Sequence, residues 1–170
     1  SENPLERAAL NISKARGFTL VELMVTIAVW VILLGIAVPS FKNVLLNNRV
    51  TVTAHSLHSA VVFARSEAVK LRKAVTLCSA KADQSDCDSS ADWTNGWLVK
   101  KDSEILKIWP SVQELNITGS KKLLRFHGDG TPDDVEELEV SAADCSNGVK
   151  HLIKINRIGQ VRLERSSCEP

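Results

Sequence analysis

The chain has 170 residues, enough for one folded domain beside a long additional element and too few for several domains. Its formal net charge of +1 names no nucleic-acid, membrane or acidic partner, so only the distribution of charge along the chain is informative.

Residues 1–16 are polar and show no periodic apolar pattern. From Phe18 to Val38 there are 21 residues with a single charge, Glu22. A helix of that length is about 30 Å long, close to the hydrocarbon thickness of a bilayer, so residues 18–38 are expected to span a membrane. Lys14 and Arg16 lie just before the span and place the amino terminus on the cytoplasmic side. Glu22 needs a physical reason, since a carboxylate costs roughly 2.5–3.5 kcal/mol at mid-bilayer, less near the end. Thr19 and Glu22 have the spacing of a capping box, with Phe18 and Leu23 placed as a hydrophobic staple. The alternative is that Glu22 answers a positive charge brought by a partner, and the two readings are compatible.

The run Gly17-Phe18-Thr19-Leu20-Val21-Glu22-Leu23, after a polar leader with basic residues, resembles the class III signal of type IV pilins and type II secretion pseudopilins. The resemblance implies that residues 1–17 are a prepilin leader. A prepilin peptidase would cut between Gly17 and Phe18 and methylate the new Phe18 amine. The uncut helix would anchor the subunit in the inner membrane and then pack with other pilins or pseudopilins in a filament. Glu22 would pair with the methylated terminus of a neighbour. An ordinary secretory signal has a shorter apolar core with a small-residue cleavage site after it.

The helical pattern continues to about Lys73, giving one helix over 18–73. Leu57, Val61, Ala64, Ala68 and Leu71 recur at three- and four-residue steps, as do Phe41, Val44 and Leu45 nearer the span. Pro39 removes a backbone donor and is expected to kink or locally melt the helix. His55 and His58 are one turn apart but have no third ligand nearby, and read as surface histidines.

From Ala74 the pattern changes to short strands, so residues 74–170 form a β-domain. All four cysteines lie here, and an even number in an exported domain reads as disulfides. Four cysteines allow three pairings. Closure of local excursions beside strands favours Cys78–Cys87 and Cys145–Cys168, while sequence alone does not choose. No C-x-x-C supports zinc, and Asp83, Asp86, Asp88 and Asp92 do not match an EF-hand spacing, so no metal or cofactor is expected. Trp97 and Val99 share one strand face and read as core; a stacking platform for sugars or bases is the competing use of Trp93 and Trp97. The block Trp93-Thr94-Asn95-Gly96-Trp97-Leu98-Val99 after a long helix is similar to the FimT/FimU/GspH group of minor pilins and H-type pseudopilins. Lys100 stands where that block ends in an aromatic, and is expected at an exposed edge.

Charge is segregated beyond this point. Residues 129–144 hold seven acids and no base, and residues 149–165 hold five Lys or Arg against one acid, Glu164. Two poles on the domain are one reading, and two ordinary solvated faces are the other. Gly159-Gln160-Val161-Arg162 resembles the Gly-Arg-x-Arg segment of DNA-binding FimT-type pilins, with Gln160 in place of the first arginine. The candidate DNA contacts are Lys154, Arg157, Arg162 and Arg165; an edge strand protected by charge is the competing reading. No G-x-S-x-G is present, and the acid pairs are those of any solvated loop, so the chain is not expected to be an enzyme.

These readings give an α+β protein: a long amino-terminal helix, transmembrane in its first half, packed on a small antiparallel β-sandwich of type IV pilin-like form. The function implied is that of a minor type IV pilin, a structural subunit for pilus assembly and priming, with links to twitching motility or DNA uptake. The alternatives are a DNA-binding minor pilin for natural transformation and the H-type pseudopilin of a type II secretion system. The domain would lie in the periplasm, on a single-pass anchor, until it enters a fibre.

Overall fold

The computed structural model describes residues 17–145 and 148–168, and the side chains of residues 39 and 40 also fall outside the described set. Most of the expected leader, residues 1–16, therefore lies outside the described residues. Among the described residues there is one helix, α1 (Leu20–Leu71), followed by eight strands: β1 (Val75–Ser79), β2 (Trp97–Lys101), β3 (Glu104–Trp109), β4 (Leu115–Gly119), β5 (Leu123–Phe126), β6 (Glu136–Ala142), β7 (Val149–Ile155) and β8 (Val161–Ser167). The chain divides into two compact units, residues 1–40 and 41–170. The helix runs unbroken through residues 39 and 40, without the local melting expected at Pro39, whose side chain lies outside the described residues.

In the first unit every described side chain is exposed, from Phe18 through Val38. The second unit contains the rest of α1 and two four-stranded antiparallel sheets. Their orders are β3-β2-β1-β5 and β4-β6-β7-β8. Both sheets and the helix share one core. Val50, Ala54, Leu57, Val61, Ala64 and Ala68 lie at alternating steps of four and three, fully buried along one face of α1. Three of these six are alanines, which let the sheets come close to the helix. Leu77, Trp97 and Val99 from the first sheet meet Ile117, Leu138, Val140, Ile153 and Ile155 from the second. The β-branched run Val50–Thr53 stays helical because Val50 and Thr53 are buried, and packing outweighs its weak propensity. Phe41, Val44 and Leu45, expected to share the core face, are exposed.

Trp93 and Trp97 are both fully buried, so neither forms an exposed stacking platform. Lys100 is not at an edge. β3 folds back along β2 and makes it an internal strand, and Lys100 forms an ion pair with Asp86. Cys78 is bonded to Cys87, and Cys145 to Cys168. The first bridge holds the polar loop after β1 over a small apolar cluster of Cys78, Ala80 and Leu98 on the outer face of the first sheet. The second ties the end of β8 to the start of the β6–β7 connection.

Two contacts had no counterpart in the sequence reading. Arg65, on α1, donates through Nε to the Gly130 carbonyl at 3.0 Å and through Nη2 to the Ile158 carbonyl at 3.1 Å. It thereby fastens the turn before β6 to the β7–β8 turn. Gly130 and Gly159 both have positive φ there, +84° and +77°. Glu136, one of the seven acids, turns inward and is 2% exposed. It accepts a hydrogen bond from the Lys121 N–H at 2.8 Å, and burial pushes its carboxyl above the ordinary range.

A Cβ on Gly159 would sit 2.2 Å from the Gly130 carbonyl oxygen, a backbone atom that cannot swing away. With φ at +77° as well, Gly159→Ala should destabilise the chain by more than about 1 kcal/mol, read as a lower melting temperature of the detergent-solubilised protein. Glu136→Gln should raise stability at neutral pH. A carboxyl whose folded pKa is raised favours the folded state only below its unfolded value, and that contribution is lost as pH rises through the folded value. Chemical denaturation of both proteins at pH values on either side of the carboxylate range measures this; an unchanged difference between them across pH would contradict it.

Candidate functional site

At the amino terminus Thr19 is the cap of α1. Its Oγ1 accepts a hydrogen bond from the Glu22 N–H at 3.2 Å, and its carbonyl accepts the Leu23 N–H at 3.2 Å. Among the described residues the reciprocal bond from the Glu22 carboxylate to the cap is absent, as is any ion pair to Glu22. The capping role is thus filled by the Thr19 side chain, and the Glu22 carboxylate remains available. Phe18, beside the expected cleavage point, is 84% exposed. The best 18-residue window of this helix has a mean hydropathy of 2.5 with none of it buried. An apolar surface of that extent requires lipid or other apolar helices around it.

The second expected site is the charged strand. β8 is an edge strand, as an edge protected by charge requires. Register places Glu137 opposite Lys154 and Lys154 opposite Arg162 across β6, β7 and β8. Glu139, Leu152 and Glu164 make the neighbouring row. Lys154 bonds Glu164 at 2.8 Å and lies 3.9 Å from Glu137, while Lys150 lies 3.3 Å from Glu139. The hydrogen bond from Lys154 holds the Glu164 carboxyl below its usual range and, reciprocally, holds the Lys154 ammonium above its own. The acidic and basic runs are therefore adjacent strands forming one alternating face, not two poles. That face carries Glu137, Glu139 and Glu164 against Lys150, Lys154 and Arg162, and its charge sums to zero.

The four candidate DNA contacts do not form one patch. Lys154 and Arg162 share the outer face. Arg165 is opposite His151 on the inner side of the sheet, one residue out of step with Arg162. Arg157 lies in the exposed β7–β8 turn. That turn is shaped by Asn156, whose Oδ1 accepts from the Gln160 N–H at 2.9 Å and the Ile158 N–H at 3.2 Å.

Metal and catalytic readings gain no support among the described residues, where no group of three His, Cys, Asp or Glu is placed to hold an ion. The aspartates after β1 are engaged locally: Asp83 with Ser85, Asp88 with Ser90, Asp92 with Thr94, and Asp86 with Lys100. A cleft of about 410 Å³ beside α1 is lined by Leu45, Leu46, Ala142 and Ala143 and bordered by the Arg49–Glu114 ion pair. Among the described residues it brings together no nucleophile and base.

Residues 12–38 match the prokaryotic N-terminal methylation motif. Residues 53–159, more than half of the chain, match the family described as type II transport protein GspH. The chain belongs to the GspH family. This family of minor pilins and pseudopilins supplies structural subunits. Two crystal structures of the type IV minor pilin FimU from Pseudomonas aeruginosa PAO1 are similar in fold, at 20% identity. One covers 67% of this chain and 91% of the FimU chain with a TM-score of 0.56. The other covers 69% and 89% with a TM-score of 0.58. No curated protein matches the chain significantly.

A neutral outer face sets an expectation for DNA. Binding of duplex DNA to this GspH-family chain should be non-specific, with a dissociation constant of about 10⁻⁴–10⁻⁶ M at physiological salt. Gln160→Arg should tighten it and steepen the log–log salt dependence by about 0.9, one added phosphate contact. Arg162→Ala should do the reverse. A gel-shift series across salt concentrations checks both variants, and nanomolar binding by the unaltered chain at physiological salt would overturn the electrostatic argument.

Proposed function

We propose that the chain is a minor pilin of a type IV pilus, acting by assembly and not by catalysis. A prepilin peptidase cuts it between Gly17 and Phe18 and methylates Phe18. Residues 18–38 then hold it in the bacterial inner membrane, with residues 74–170 in the periplasm. On assembly the same helix packs against those of other pilins, and Glu22 pairs with the methylated terminus of a neighbour and sets axial register. The observation that carries this reading is the fully exposed apolar helix with a single carboxylate, Glu22, continuous in sequence with a helix that carries the core of a GspH-family domain. The GspH family match also favours a second reading, in which the same subunit serves the short filament of a type II secretion system. DNA capture is the weaker reading, because Lys154 is occupied by Glu164 and Glu137.

Mass spectrometry of the membrane-extracted protein should show a mature chain beginning at Phe18 with a methylated amine. A mature species that keeps Lys14 and Arg16 in cells with active peptidase would sink the reading. Glu22→Ala should insert into the membrane at least as well as the parent, since it removes a carboxylate from an apolar span. Its amount in sheared filaments should drop several-fold. Equal incorporation would reduce Glu22 to part of a cap. Co-purification with pilus or secretion components from the native cell separates the two filament readings.

A further inference from the structure

The contact between α1 and the second sheet contains one buried imidazole. His151 is 5% exposed, in the middle of β7, with Val140 of β6 and Arg165 of β8 opposite it. Its Nε2 lies 3.2 Å from the Thr51 Oγ1 on α1. The Thr51 hydroxyl donates to the Asn47 carbonyl at 2.9 Å, so its oxygen acts as acceptor and the His151 proton sits on Nε2. That leaves Nδ1 as a bare lone pair, buried and without a partner among the described residues. Asn47 adds a tie from the same stretch of helix to the start of β7, accepting the Val149 N–H on Oδ1 at 3.3 Å.

A second proton on this ring has nowhere to go. It would create a buried cationic N–H with no acceptor among the described residues. Among the described residues the charged and titratable groups facing it are all basic: His55 from α1, with ring centres 6.5 Å apart, and Arg165 from β8. β6 presents only Val140, and the Glu139–Lys150 pair lies on the other face of the sheet. Burial, with His55 and Arg165 beside it, holds the His151 pKa below its ordinary value of 6.5. The sign follows directly. The neutral ring favours the folded contact, the stabilisation is complete above the unfolded value, and it is lost as pH falls from there through the depressed folded value.

We propose that the Thr51–His151 contact is an acid-opened latch between α1 and the second sheet. Above the imidazole range it holds residues 47–55 of the helix on β7. In acid the ring takes a proton, the lone-pair side must reach water, and openings of this part of the helix from β7, which also expose Val50 and Ala54, become more frequent, while the apolar contacts at Val61, Ala64 and Ala68 persist.

Hydrogen exchange of the full chain in detergent micelles tests this, at about pH 7.5 and pH 5 with rates corrected for the intrinsic pH dependence. Protection of residues 47–58 should fall about tenfold in acid while residues 60–71 keep theirs. His151→Gln, which can still donate to Thr51 but takes no proton, should show no such fall. Equal protection of residues 47–58 at both pH values, or the same loss in His151→Gln, would overturn the proposal. Ring-nitrogen NMR of the unaltered chain decides the matter even if the variant does not fold. It should show the Nε2–H form and a titration below the ordinary imidazole range, and a titration at or above that range would equally overturn it.

Discussion

The structure depends on one face of one helix. Along α1 from Val50 to Ala68, buried side chains recur every third or fourth residue, and both sheets rest on that row. Each sheet has one apolar face that meets the shared core, and a four-stranded sheet alone leaves that face wet. Here each sheet closes its apolar side against the same helix, so neither forms its core without it. The alanines at 54, 60, 64 and 68 are as necessary as the larger residues. An added methylene at such a site forces strain of about 1–3 kcal/mol in a packed interior. Fixing the β-domain to this row also fixes it to a helix whose preceding residues bury nothing within their own unit. The fold thus joins a domain that is satisfied in itself to an apolar rod that is not, and the rod's unmet demand is what filament or membrane supplies.

Three polar groups refine that packing, and each joins elements far apart in sequence. Arg65 reaches two turns, Glu136 holds the Lys121 backbone, and His151 meets Thr51. Their energetics differ. Arg65 keeps part of its guanidinium toward solvent and uses neutral carbonyl acceptors, so it pays little for burial. Glu136 and His151 each leave one polar atom buried without a partner among the described residues, and burial moves each toward its neutral form. The two respond oppositely to acid, because neutralising a carboxyl takes up a proton and neutralising an imidazole releases one. Acid therefore favours the β6 junction and disfavours the β7 junction, and the second sheet is the element on which the two effects meet.

Much of this was legible in the chain. The three- and four-residue recurrence of Leu57, Val61, Ala64 and Ala68 gave the helix face, and the turn residues between short apolar runs gave the strands. Period two, carried through strictly, contains more. Glu136 shares a face with Leu138 and Val140, and His151 with Ile153 and Ile155, so both were marked as inward by alternation alone. The same rule separates Arg162 from Arg165, which charge counting had grouped. Other features needed topology. Lys100 looked like an edge residue until β3 was seen to pair with β2, and Asp86 reaches it from a loop that the Cys78–Cys87 bridge and backbone bonds fold back onto β1. Arg65 acts on carbonyls 65 and 93 residues away, a relation that no local pattern encodes.

The charged face shows how composition misleads when strand pairing is unknown. A run of acids followed by a run of bases reads as a dipole along a line, yet antiparallel pairing lays the second run against the first. Once β6 and β7 are neighbours, like-signed side chains within a strand become opposite-signed neighbours across strands, and the field cancels over a few ångströms. Surface pairs of this kind add little stability, about 0–1 kcal/mol each. Their effect lies in what they prevent. β8 carries an unpaired row of backbone donors and acceptors, and Arg162 and Glu164 on its outer face make addition of another strand costly in desolvation. The charged edge thereby disfavours contact between copies through the sheet, which is consistent with the assembly through the helix proposed above.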